Sequence, residues 1–231
     1  MTIKIVREKN SSTLTQKLSN DILAKLSEAI ANQGEARLAV SGGSSPISVF
    51  EYLSNQELDW AKVKVTLVDD RCVPETHPDS NALLVKTHLL KNNASTASFI
   101  SLSCEEGSSM DQAEAAEHKL SQHFPRYDVV ILGMGADAHT ASIFPKAKEK
   151  HLALSPDSKR LSLATDPLTA PHMRITQTLP QLLKTDFLAI HIIGQDKWKI
   201  IEAIVEEAQD QYPISHFIHQ DIVPVTLYCA A

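Results

Sequence analysis

Glycine is scarce in this 231-residue chain: there are seven, about 3% against a usual 7%. Cysteine is scarcer. Cys72, Cys104 and Cys229 form an odd, scattered trio that makes neither a disulfide framework nor a paired metal motif. A reducing, cytoplasmic setting is the expectation. No run of 18 or more apolar residues occurs, which excludes a membrane-spanning helix. The first ten residues, Met1 to Asn10, alternate polar and apolar side chains and lack the basic start and apolar centre of a secretory signal. Basic residues are outnumbered 22 to 28, giving a net charge of −6. No basic stripe stands out, so nucleic acid is not an expected partner. A local cationic pocket for a small anion remains compatible with that balance.

The rest of the composition is ordinary for a soluble globular protein, at 43% hydrophobic and 22% charged residues. That is too apolar and too weakly charged for disorder. The length allows a large core without staples. We find no repeat, low-complexity tract or convincing linker, and the expectation is one domain over residues 1–231. Monomer and homodimer are both compatible with the sequence.

Strand-like and helix-like segments alternate. Residues 3–7 (IKIVR) read as a strand, and residues 11–32 carry Leu14, Leu18, Ile22, Leu26 and Ile30 at helical spacing. A short apolar strand at 37–40 ends at Ser41-Gly42-Gly43, and Pro46 sits near the start of a helix through about residue 53. Residues 63–68 form a strand entering Asp69-Asp70-Arg71, and Asp79 or Ser80 caps a helix at 81–90. A helix is expected at 110–123, a buried strand at 127–132, and a short helix from Thr140. Strands follow at 161–165, 173–177 and 187–193, then a helix at 197–209 and a strand at 225–228. Such alternation predicts an α/β, Rossmann-like fold: a mostly parallel sheet with helices on both faces. Ligands of such sheets bind beyond the carboxyl ends of the strands. The unusual residues fall there, after Val40, Val68, Leu132 and Ile193.

Four of the seven glycines cluster at two of these strand ends, Gly42-Gly43 and Gly133/Gly135. The segment Ser41-Gly42-Gly43-Ser44-Ser45-Pro46 joins a strand to a helix, where free backbone N–H groups can meet an anion. It matches neither GxxxxGK[ST] nor GxGxxG, and a plain serine-capped turn is the alternative. Asp69, Asp70 and Arg71 suit a polar substrate, since an arginine fork fits phosphate or carboxylate; a surface ion pair with a helix cap is the alternative. Nothing in the sequence activates Cys72 as a nucleophile. His139 follows the second glycine cluster, with Asp137 two residues before it to orient or charge-stabilise the ring. An imidazole there can take a proton from water and return it. Arg174 and Lys197 could join Arg71 in a phosphate pocket, although each alone is more often a surface cation. No metal-site spacing appears, and a divalent ion on His77, Asp79 and His139 is a remote option.

Taken together, LAVSGGSSP, VTLVDDRCVPETHPDSN, DVVILGMGADAHTASIFP, PHMRITQTLP and IIGQDKW resemble the bacterial 6-phosphogluconolactonases of the glucosamine-6-phosphate isomerase/6-phosphogluconolactonase superfamily. The likeness runs nearly end to end. It implies a Rossmann-like fold, no cofactor and no metal. It also implies hydrolysis of 6-phospho-D-glucono-1,5-lactone to 6-phosphogluconate, the second step of the pentose phosphate pathway. By that likeness His139 is the catalytic histidine, with Asp137 and Arg71 at matching catalytic positions. Ser41, Gly42 and Gly43, with Ser44, form the substrate loop, and Arg174 and Lys197 are phosphate partners. The mechanism expected for such a site has His139 deprotonating water, with Asp137 supporting the ring, Asp69 as a second option for that support, and positioned N–H groups or a cation meeting the oxyanion.

Two positions depart from the family pattern: Asp70 stands where Glu is usual, and Ala138 where Gly is usual. If position 138 needs a positive φ, alanine there is strained by roughly 1–2 kcal/mol. The isomerase branch, such as glucosamine-6-phosphate deaminase, resembles HxxxxE after its histidine; here the fifth residue after His139 is Phe144. A non-enzymatic sugar-phosphate sensor would resemble this core with an added DNA-binding segment, for which the chain has no spare residues.

Overall fold

The computed structural model describes residues 3–103 and 107–230. Cys104 lies outside the described residues. In chain order the elements are β1 (Ile3–Glu8), α1 (Ser11–Gln33), β2 (Ala36–Val40), α2 (Ile47–Ser54), β3 (Val63–Leu67), β4 (Asp69–Arg71), α3 (Asn81–His88), β5 (Ser98–Phe99) and α4 (Ser109–His123). There follow β6 (Val129–Gly133), α5 (Lys150–Leu154), β7 (Ser162–Thr165), β8 (Arg174–Gln177), α6 (Leu179–Leu182), β9 (Leu188–Ile193), α7 (Gln195–Glu206), α8 (Pro213–Ile218) and β10 (Val225–Ala230).

Seven strands form one parallel sheet in the order β1-β10-β9-β6-β2-β3-β5, with helices packed around it. Sequence explains the order. The inner strands β2, β6, β9 and β10 are almost continuously apolar and buried, as a sheet covered on both sides requires. β1, at an edge, alternates and leaves Ile5 exposed. The long helix α1 buries Leu14, Leu18, Ile22 and Leu26 completely, one stripe at a spacing of four. Each such side chain contributes roughly 1.5–3 kcal/mol on burial. Asn10 caps its start by accepting from Thr13 N, and Gly34, at φ +83°, ends it.

A second, three-stranded antiparallel sheet, β4-β8-β7, was not foreseen. Its three-residue strand β4 is the Asp69-Asp70-Arg71 run, read from sequence as a bare strand end. Gln177 ties the two sheets, donating from its backbone N to Val68 O at 2.9 Å and from Nε2 to Leu67 O at 2.7 Å. The short helix expected from Thr140 is absent. Ala141 takes φ +48°, and Thr140 bridges Ile143 across a turn, which breaks the helical path. The helix expected at 197–209 starts two residues earlier, after Gly194 at φ +107°, and stops at Glu206.

Candidate active site

Reading along the large sheet, β6, β9 and β10 lie to one side of β2, and β3 and β5 to the other. The winding therefore reverses between β2 and β6, and the loops after those two strands diverge over a crevice. These are the two glycine clusters. The crevice is a cleft of about 300 Å³, at the lower end of the range for small-ligand sites. Ser41, Gly42, Gly43 and Ser44 line it from the first loop, and Gly133, Gly135 and His139 from the second. Asp69 and Arg71 of β4, Arg174 of β8 and Lys197 of α7 complete it. Asp137 is the one proposed site residue outside the lining; it sits behind His139.

The loop after β2 owes its path to its glycines. A β-carbon on Gly42 would overlap the Asn81 carboxamide, and Gly43 takes φ +89°. No side chain caps the start of α2; its first N–H, on Ile47, donates to Ser44 O at 3.4 Å within the loop. Asn81 braces the opposite wall by donating Nδ2 to Asp69 O at 2.9 Å.

The loop after β6 is a tight turn. Gly135 N donates to His139 O at 2.9 Å, Ala138 N to Gly135 O at 3.1 Å, and Thr140 Oγ1 to Gly133 O at 2.8 Å. A β-carbon on Gly135 would overlap the His139 ring, so only glycine lets the ring lie there. His139 Nδ1 meets Asp137 Oδ1 at 2.5 Å, and His139 N donates to the same oxygen at 3.2 Å. Burial pushes the Asp137 carboxyl up, but the hydrogen bond and charge of His139 outweigh it and hold the carboxyl below its ordinary value. Phe144 covers the ring at 4.3 Å between centroids. Nε2 is left as the nitrogen available to the cleft.

Ala138 adopts φ +63°, in the left-handed region, so the condition for strain is met, and its methyl is fully buried. The strain of roughly 1–2 kcal/mol is countered by burying one methyl, worth about 0.8 kcal/mol. Ala138→Gly is therefore expected to change stability by no more than about 1 kcal/mol and to leave the function of the cleft intact. Thermal melts and rates together check this; a collapse of either would mean that the methyl shapes the turn.

Arg71 and Arg174 are directly opposed in the β4–β8 register. Like charges so placed repel, and Nε of each has no partner among the described residues. Burial and the Arg71 charge both lower the Arg174 pKa. An anion in the cleft would relieve that repulsion, which is the electrostatic signature of an anion site. Arg71 is aimed by a hydrogen bond to Asp79 O. Lys197, in the first turn of α7, makes no hydrogen bond or ion pair with the described residues.

Asp69 does not hold the imidazole. Its Oδ2 accepts from Ser142 Oγ at 2.5 Å, and among the described residues the only carboxylate bonded to His139 is that of Asp137. The expected support from Asp69 is corrected accordingly. The remote divalent-ion option also changes. Near Asp79 the potential ligands are His77 and His172, not His139. His77 Nδ1 already accepts from Asp79 N at 3.1 Å, and His172 Nε2 meets Asp79 Oδ2 at 3.0 Å. The His77 lone pair that a metal would need is thus engaged. Cys72 is a packing residue: burial and the Asp70 charge push its thiol up to about 11.

The family described as glucosamine-6-phosphate isomerases/6-phosphogluconolactonase matches residues 9–225. The chain belongs to this family. A 6-phosphogluconolactonase of Neisseria meningitidis serogroup A is 38% identical over 216 residues, 92% of this chain and 93% of that protein. One from Rhizobium meliloti is 39% identical over 224 residues, covering 96% of each. The crystal structure of a 6-phosphogluconolactonase from Shewanella baltica superposes with a TM-score of 0.95 at 37% identity, covering 100% of this chain and 98% of that one.

Against the glucosamine-6-phosphate isomerase/6-phosphogluconolactonase pattern, the Asp70 departure is structural. Its buried carboxylate accepts from Asn81 N and Arg71 N at 2.7 Å and from Ala82 N at 3.2 Å, anchoring the start of α3. Burial pushes it up to about 6, against the pull of those N–H groups. A carboxyl raised by folding stabilises most at low pH, and its contribution fades as pH rises through about 6. Asp70→Ala strands these donors, at about 1–3 kcal/mol each. We expect a lower Tm, with the deficit widening from pH 7 to pH 5. A deficit that narrows would contradict the assignment. Sequence reasoning did not single out Asn81, Ser142 or His191 as site residues, although all three line the cleft. Asn81 ends the stretch VTLVDDRCVPETHPDSN, and His191 is a titratable residue within an otherwise apolar strand.

Proposed function

We propose that the chain hydrolyses 6-phospho-D-glucono-1,5-lactone to 6-phospho-D-gluconate, without metal or cofactor, as one domain spanning residues 1–231 and acting in the cytoplasm. The observation that carries this reading is the surroundings of His139. Asp137 engages its Nδ1, Phe144 covers its ring, and its free edge opens on a cleft that also holds Arg71, Arg174 and Lys197.

A lactone is an activated ester, so water suffices as nucleophile and no covalent intermediate is needed. The phosphate docks among the Ser41–Ser44 loop, Arg71, Arg174 and Lys197. His139 Nε2 takes a proton from water as the oxygen attacks the lactone carbonyl. Asp137, kept ionised by its contact with His139, stabilises the imidazolium. Donors aimed at the carbonyl oxygen supply oxyanion stabilisation, a contribution often worth about 3–4 kcal/mol. The imidazolium then protonates the departing ring oxygen.

The family's other reaction type, isomerisation with ring opening, calls for a second acid–base group beside the histidine. Phe144 occupies that neighbourhood instead, packed on the ring. Two assays separate the readings. The lactone is expected to be hydrolysed well above its spontaneous rate, and glucosamine 6-phosphate to release no ammonia. Ammonia release with lactone hydrolysis at background would reverse the choice.

A further inference from the structure

His191 lies in β9 among Ala189, Ile190 and Ile192, all apolar and buried. It is 3% exposed, yet neither Nδ1 nor Nε2 has a hydrogen-bond partner among the described residues. A neutral imidazole carries one N–H and one lone pair. Leaving both unmet in a central strand is a cost that folding normally avoids. His191 lines the cleft, so a ligand can meet what the protein does not.

The sheet register shows what lies beside it. His191 pairs with Gly133 of β6 in parallel, so the two positions face the same side. Gly133 presents no side chain, and a β-carbon built there would stand 3.4 Å from Ser41 Oγ. Across three neighbouring strand ends the cleft floor thus runs hydroxyl, gap, imidazole. Lys197 lies just beyond, in the first turn of α7, whose start carries no side-chain cap. Burial first, then the Lys197 charge, hold the imidazole neutral, with its pKa lowered to about 4. The Lys197 ammonium and the α7 amides favour an anion.

We propose that His191 is a substrate-binding residue: a neutral hydrogen-bond donor that, with Ser41 and Lys197, receives the substrate phosphate over the gap at Gly133. The identity of the substrate rests on the lactonase reading above; the anion-binding role does not.

His191→Leu tests it, because a similar-sized apolar side chain removes the unmet polar atoms. The variant is expected to melt no lower than the native protein. Its KM for the lactone is expected to rise tenfold or more, with a smaller fall in kcat. Its affinity for inorganic phosphate, measured by calorimetry, should fall in parallel. His191→Asn, which keeps a donor, should recover part of both. KM for the phosphate-free lactone of gluconic acid should hardly move. Unchanged KM and phosphate affinity would overturn the proposal, as would an equal loss on the phosphate-free lactone. A markedly lower Tm for His191→Leu would mark a packing residue and also overturn it. If the native protein binds phosphate through His191 but hydrolyses no lactone, the substrate reading fails while the anion site stands.

Discussion

Replacing His139 with alanine is expected to lower kcat for lactone hydrolysis by roughly 10²–10⁴-fold, the usual contribution of a positioned general base, with a modest change in KM. The geometry gives the reason. The ring is clamped by three independent features: the contact to Asp137, the missing β-carbon of Gly135, and the Phe144 face. None of these is needed to hold the phosphate. The side chain is 30% exposed, so its loss should leave the melting temperature nearly unchanged. Asp137→Asn should fall between native and His139→Ala, since the ring stays but its charge partner is neutralised. A retained kcat in His139→Ala would remove the residue from the mechanism.

The second large effect is expected on binding. Arg174→Met keeps the apolar stem and removes the guanidinium. A hydrogen bond to a charged group contributes about 1.5–3 kcal/mol, so KM should rise by roughly 10–150-fold. The change in kcat should be smaller. Stability should hold, because the substitution ends both the desolvation of a buried cation and its repulsion by Arg71. On the proposed shared phosphate site, substituting both arginines should cost less than the product of the single effects. An unchanged KM in Arg174→Met and in Lys197→Ala together would dissolve the phosphate pocket.

The main lines of this site were legible because the chain spends glycine so sparingly. Gly42-Gly43 and Gly133/Gly135 each follow an apolar run, and each proved to mark a strand end at the winding reversal. The family departure at Ala138 raised the condition of a positive φ without deciding it, and the residue is found at φ +63°. What sequence could not reveal depends on long-range pairing. β4 is three polar residues with no alternation, and its partner Arg174 lies more than 100 residues away, so neither the second sheet nor the arginine pair had a local signal. Asp69 and Asp70 look alike as letters. The pleat sends Asp69 into the cleft and Asp70 under the start of α3, and only tertiary contact tells them apart. His191 was hidden for the opposite reason. It stands in FLAIHII, where the apolar run announces a buried strand and draws attention away from the one residue that does not need burial.

The central claim is that this cleft hydrolyses a sugar-phosphate lactone through His139. The most direct measurement is the initial rate of 6-phosphogluconate formation from freshly generated 6-phosphogluconolactone. Glucose-6-phosphate dehydrogenase supplies the lactone and 6-phosphogluconate dehydrogenase reports the acid, against the spontaneous background. The native protein is expected to give a rate far above background, and folded His139→Ala a rate close to background. A native rate equal to background, or a His139→Ala rate equal to native, would contradict it.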